Sequence, residues 1–103
     1  MTDTPLLLTL VVPADVSESL LEALLDAPDL ARGFTTSPAE GMGAAVRYTD
    51  TTQAVRGRAA YLRIEILLDE PRAAALLARL KPRFANPRIF YWLTPSLGHG
   101  RFA

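Results

Sequence analysis

From Leu6 to Val12 the chain reads Leu-Leu-Leu-Thr-Leu-Val-Val, a run whose one polar residue is Thr9, and Pro13 closes it. A membrane-spanning helix needs about 20 such residues. A short apolar run stopped by proline reads instead as a central strand. Side chains alternate between the two faces of a strand, so this one is apolar on both, and a fold that contains it must cover both.

The flanking segments supply the rest of the architecture. Asp15 and Glu18 have the spacing of a capping box, and Val16, Leu20, Leu21, Leu24 and Leu25 gather on one side of a helix running from about Asp15 to Asp26. Pro28 and Gly33 stop it. Phe34-Thr35-Thr36-Ser37 is β-branched and aromatic and forms a short second strand. From Pro38 the chain reads as a long connection marked by Gly41, Gly43 and Gly57, with room for some helix or extended structure, a kind of loop that is commonly functional or disordered. Tyr61 to Leu68 is a strand with Leu62, Ile64, Ile66 and Leu68 on one face and Tyr61, Arg63, Glu65 and Leu67 on the other. Asp69-Glu70-Pro71 starts a second helix with Ala73, Leu76, Leu77 and Leu80 as its apolar stripe, and Pro82 ends or bends it. Asn86-Pro87 makes a turn, Ile89 to Leu93 a short aromatic strand, and Pro95, Gly98 and Gly100 an irregular tail.

The order βαββαβ predicts a single α+β domain over residues 1–103 of ferredoxin-like type, a four-stranded antiparallel sheet with two helices on one face. Two helices leave the other face open. It would carry Leu7, Val11, Tyr61, Leu67 and one set from Phe90-Tyr91-Trp92, where a solvated antiparallel face normally shows alternate polar residues. Burying each such side chain contributes about 1.5–3 kcal/mol. Several of them left in water would forfeit an amount comparable with the whole stability of a small domain. The reading that follows is an oligomer in which other copies cover this face.

Composition narrows the function. Eleven Lys plus Arg balance eleven Asp plus Glu in 103 residues, so general nucleic-acid binding through phosphate neutralisation is not expected. With no cysteine and one histidine, His99, thiol catalysis, cysteine-bound zinc and a Ser-His-Asp triad are unsupported. No cationic leader precedes Leu6, and a soluble, cytoplasmic protein is expected. No nucleophile elbow, Walker loop or dinucleotide fingerprint occurs. The carboxylate pairs Asp26/Asp29 and Asp69/Glu70 fall at helix ends, where capping explains them. A non-enzymatic role is therefore expected.

What remains is arginine beside turn residues: Arg56-Gly57-Arg58, Arg88 after Asn86-Pro87, and Arg101 after Gly98-His99-Gly100. Glycine lets backbone N–H groups approach an anion and Arg offers a planar fork of donors, so these could line one anion cleft if turn, tail and loop meet. His99 with Met42, Glu40 or Asp50 is a weaker candidate for a metal held between subunits.

These pieces resemble the PII signalling proteins. Arg32-Gly33-Phe34, the long connection and Leu62-Arg63-Ile64-Glu65-Ile66-Leu67-Leu68 are similar to their Gly-Phe before the T-loop and the Lys-Ile-Glu strand after it. Arg88-Ile89-Phe90 resembles the Lys-Ile-Phe of their last core strand, and Gly100-Arg101 stands where their C-terminal basic residues reach nucleotide phosphates. Gln53-x-x-x-Gly57-Arg58 and Tyr91-Trp92-x-x-Pro95 are similar to an uncharacterised PII-like family associated with heavy-metal efflux systems. The resemblance implies a homotrimer with sheets facing inward and intersubunit clefts for ATP, ADP or AMP. It also implies a loop, about 41–58, that docks on a cation-efflux transporter.

Carried over by position, Gly33 would let the chain pass close to the base, and Arg88 and Arg101 would contact the phosphates, with Phe34, Arg58 and Gly100 in the same ligand set. Gly41, Tyr48, Arg56 and Gly57 would belong to the partner loop. The CutA relatives of PII imply the alternative, a metal-tolerance accessory protein using His99 and Met42. Where PII proteins carry Gly-Asp-Gly-Lys, this chain has Ala85-Asn86-Pro87-Arg88, and the glutamine that helps them hold magnesium and 2-oxoglutarate has no counterpart in Thr35-Thr36-Ser37-Pro38. The first expectation is testable in solution: light scattering at low micromolar concentration should give a multiple of 11.2 kDa, and a monomer mass would remove the covered-face argument.

Overall fold

A computed structural model describes residues 4–43 and 58–103. Strand β1 (Pro5–Pro13) runs directly into helix α1 (Ala14–Leu25), and strands β2 (Thr35–Gly41) and β3 (Ala59–Asp69) follow. Helix α2 (Glu70–Arg83) and strand β4 (Phe90–Pro95) complete the βαββαβ order. The strands form one antiparallel sheet in the order β2-β3-β1-β4, so the apolar first strand has a partner on each side. The ferredoxin-like α+β expectation holds. No helix of the described residues is long and apolar enough to cross a membrane.

The core lies between the sheet and the two helices. Leu8, Leu10 and Val12 of β1 sit opposite Ile66, Ile64 and Leu62 of β3. The helices cover them with Leu20, Ala23 and Leu24 from α1 and Ala73, Leu76 and Leu80 from α2. Asp69 caps α2 as its sequence signal requires, its carboxylate accepting from the Arg72 N–H at 2.9 Å, with Pro71 in the first turn. Pro82 lies inside the last turn, and the helix ends at Arg83.

Several local expectations are corrected. Asp15 is not a cap: the strand passes into α1 through Pro13 with no intervening residue, and no side chain caps the helix. Asp15 therefore lies in the first turn, where a carboxylate still faces the positive end of the helix dipole. Leu25, about 100° around the axis from Leu24, is 68% exposed and does not belong to the buried stripe. The second strand does not stop at Ser37 but runs to Gly41, paired with β3 from Thr35↔Glu65 to Gly41↔Ala59. Pro38 is tolerated there because β2 is an edge strand, where a missing N–H leaves no ladder bond unmade. Strand β4 likewise continues past Leu93 to Pro95 along β1. The loop residues Tyr48, Asp50, Gln53, Arg56 and Gly57 lie outside the described residues.

On the open face the register places Leu7, Thr9 and Val11 beside Leu67, Glu65 and Arg63 on one side and beside Thr94, Trp92 and Phe90 on the other. Phe90, Trp92 and Leu67 are 41–45% exposed. Tyr61 departs from the expected exposed set, being only 6% exposed. Its ring lies over Gly41 on the neighbouring strand, where a Cβ would fall inside it. The missing side chain of one residue is thus the seat of the other's ring. Gly41→Ala should destabilise the domain by about 1–3 kcal/mol through overpacking. In a denaturation cycle with Tyr61→Ala the two losses should be less than additive by about 1 kcal/mol; full additivity would contradict the contact.

Candidate ligand cleft on the open face

Two cross-strand pairs make a hollow on the open face. Leu7 opposes Leu67, Thr35 opposes Glu65, and the incoming Gly33-Phe34 segment closes one end. The space is about 260 Å³. Its walls are apolar apart from the Thr35 hydroxyl and the Glu65 carboxylate, a pairing suited to a flat heterocycle that offers N–H groups to an acceptor. Gly33 and Phe34 were legible in the sequence. Leu7, Thr35, Glu65 and Leu67 were not, although the strand alternation put Glu65 and Leu67 on this face. Among the described residues a Cβ on Gly33 would meet nothing within 4 Å.

Arg88 lies elsewhere. The Asn86 carboxamide oxygen accepts from the Arg88 N–H at 2.9 Å, fixing the turn, and the guanidinium reaches Asp15 with Nη2 3.2 Å from Oδ2. Arg88 is mostly buried in this arrangement while Asp15 is half exposed. The pair links the turn before β4 to the first turn of α1. At the same end of the sheet Arg58 faces Glu40 at 3.6 Å, both largely exposed, where β2 and β3 leave for the loop.

Gly100 and Arg101 belong to the exposed tail, which leaves β4 at the other end, where the Ser96 N–H donates to the Pro5 carbonyl at 3.1 Å. Within one chain, therefore, the turn and the loop mouth share an end of the sheet, and the tail does not join them. The hollow is displaced from Arg88 too: four residues of β1 separate Leu7 from Val11 beside Phe90, about 13 Å at 3.3 Å per residue. Arg88 is therefore not among the residues that line the hollow.

His99 lines a second recess of about 320 Å³ with Pro5, Leu30, Arg32, Leu68 and Arg72. Met42 follows Gly41, which pairs with Ala59 at the opposite end of β3. From Ala59 to Leu67, beside His99, is about 26 Å by strand rise. One chain does not bring His99 and Met42 together. Among the described residues no group of three or more His, Asp or Glu side chains is placed to hold a metal.

The sheet order, with both helices on one face, is the ferredoxin-like fold shared by PII-like and CutA proteins. The likeness is to a PII-like protein of Thiomonas intermedia K12, CPII, whose structure holds ADP, AMP and bicarbonate (18% identity, TM-score 0.66, covering 97% of this chain and 100% of that one). It extends to CutA of Synechococcus elongatus PCC7942 (17% identity, TM-score 0.66, 92% and 79%). A crystal structure of a DUF3240 family protein from Shewanella baltica OS155 superposes with TM-score 0.75 at 20% identity, over 99% of this chain and 100% of that one. The chain itself belongs to the DUF3240 family, described as proteins of unknown function, whose model matches residues 2–103. No curated protein sequence matches it.

The Arg88–Asp15 pair is partly solvated, so its own contribution to stability should be small. A cycle of Asp15→Asn and Arg88→Gln should give a coupling below about 1 kcal/mol that shrinks at about 0.5 M salt. A larger, salt-insensitive coupling would show the pair to be a structural lock.

Proposed function

We propose that the protein is a non-enzymatic PII-like regulator whose open sheet faces are turned toward one another in a homotrimer. An adenine nucleotide is held between copies. The observation that carries the reading is the hollow formed by Leu7, Gly33, Phe34, Thr35, Glu65 and Leu67, on the face that a lone chain leaves half exposed. It has apolar walls and one carboxylate for a base, and no cation among its lining residues for a phosphate. The phosphate donors in this reading are Arg88 and Arg58 of a neighbouring copy, or Gly100 and Arg101 of the tail, which leaves the sheet at the hollow's own end. Arg forks give charge-assisted, bidentate bonds to phosphate oxygens. The presence of ADP and AMP in the Thiomonas CPII structure supports this ligand class.

Asp15 has a role in this reading. With no ligand it holds the Arg88 guanidinium, and a phosphate competes for the same donors. A nucleotide that draws Arg88 away, or engages Arg58 at the loop mouth, shifts the population of 41–58 loop conformations only through its differential affinity for them. The loop then reports occupancy to a membrane transporter of the cation-efflux type, with the protein itself on the cytoplasmic side. The CutA-like alternative draws support from the CutA superposition and requires His99 and Met42 from different copies.

Calorimetry of the full chain with ATP, ADP and AMP, combined with hydrogen exchange, tests the proposal. At least one nucleotide should bind saturably and protect the 41–58 amides, and Arg88→Ala should weaken it at least about tenfold. No binding by any of the three overturns the nucleotide reading. Binding that leaves the loop amides unchanged overturns the coupling.

A further inference from the structure

The helix side of the sheet is covered unevenly. Both helices pack mainly on β1 and β3, and the helix-facing β4 residues Tyr91 and Leu93 are each 41% exposed. Beside α2 this leaves a groove of about 310 Å³ that reaches down to the core. Its floor is Leu10, Leu20 and Leu80, each at most 5% exposed to solvent. Its walls are Leu77 of α2, Phe84 just beyond that helix, and Ile89 and Tyr91 from the β4 side.

One charge stands among these lining residues. The Lys81 ammonium donates to the Tyr91 hydroxyl at 2.9 Å and lies 4.8 Å from the centre of that ring. Those contacts hold it beside the apolar walls, where a flexible lysine would otherwise swing free. An ammonium has three N–H donors, so two remain, and among the described residues Lys81 has no carboxylate partner. The amide group of Asn86 lies in the same lining, its oxygen already committed to the Arg88 N–H, which leaves its NH₂ as a further donor. An apolar trough with donors only at its polar side is complementary to an anion on an alkyl body.

We infer that the groove between α2 and β4 binds a medium-chain alkyl carboxylate, its chain on Leu10, Leu20, Leu77 and Leu80 and its head at Lys81. At about 310 Å³ the groove is of the size of a small-molecule pocket. The carboxylate replaces solvent on the free ammonium N–H groups. The chain covers the partly exposed walls, Leu77, Phe84, Ile89 and Tyr91. The inference stands apart from the nucleotide reading, because the groove lies on the opposite side of the sheet from the hollow. The two touch at one point only: Ala85, Asn86 and Ile89 of the groove wall flank or form the turn that carries Arg88.

The test is a titration of the full chain with hexanoate, heptanoate and octanoate, followed by calorimetry and by methyl NMR. Affinity should rise about fourfold per added methylene, with saturable shifts on Leu77, Leu80 and Ile89 and none confined to Phe90 or Trp92. Lys81→Met keeps the apolar stem and should weaken octanoate at least about tenfold, while 1-octanol should bind wild type no better than octanoate binds that variant. Lys81 is exposed, so the variant should keep the wild-type melting temperature, and this is measured alongside. Absence of saturable binding, no dependence on chain length, or indifference to Lys81→Met would each overturn the assignment.

Discussion

The structure depends on β1 being apolar on both faces and central in the sheet. β3 and β4 satisfy its backbone on either side, so the strand has no free edge. One row, Leu8, Leu10 and Val12, joins the helix-covered core. The other row, Leu7, Thr9 and Val11, depends on what its neighbours lay over it: Thr9 is already 3% exposed between Glu65 and Trp92, while Leu67, Phe90 and Trp92 around it stay open. A sheet with two helices has one covered face, and this sequence has apolar side chains for two. The proposed assembly answers that mismatch, because neighbouring copies would bury the second set, which the described residues leave partly open.

The same geometry distributes the candidate site. A hollow beside the start of β2 and a guanidinium beside the start of β4 lie at different ends of β1, and strand rise fixes that separation. Arg88 is held by Asp15 rather than left to solvent, so an anion that takes it must compete with a carboxylate. The helix side has its own unfilled volume for a simpler reason. Two helices resting mainly on β1 and β3 leave the helix-facing residues of the fourth strand partly exposed.

Much of this was legible in the residues. The strand at Leu6–Val12, the alternation of Tyr61–Leu68, and the Asp69-Glu70-Pro71 start of α2 are local signals, and each appears where its chemistry puts it. The extension of β2 through Pro38 to Gly41 was hidden because proline, glutamate and glycine are poor strand formers, and pairing with β3 outweighs them. Asp15 misled because a capping box is a statement about three residues, whereas the strand-to-helix junction was set by Pro13. Tyr61 was expected on an open face and is buried because a glycine on the next strand gives its ring a place. Of the residues lining the hollow, Gly33 and Phe34 were singled out through the resemblance to PII proteins, while Arg88, singled out from its turn, lies outside it. The Glu65, Thr35 and Leu67 walls could not be named, since only the register shows which residues stand opposite one another.

The sequence alone determined the element order, the ferredoxin-like class and the surplus of apolar faces, because periodicity and turn chemistry act over a few residues. The tertiary structure decided the register, the pairing of Arg88 with Asp15, the ring of Tyr61 over Gly41 and the two hollows. Those depend on contacts between residues tens of positions apart, and no local pattern of side chains specifies them.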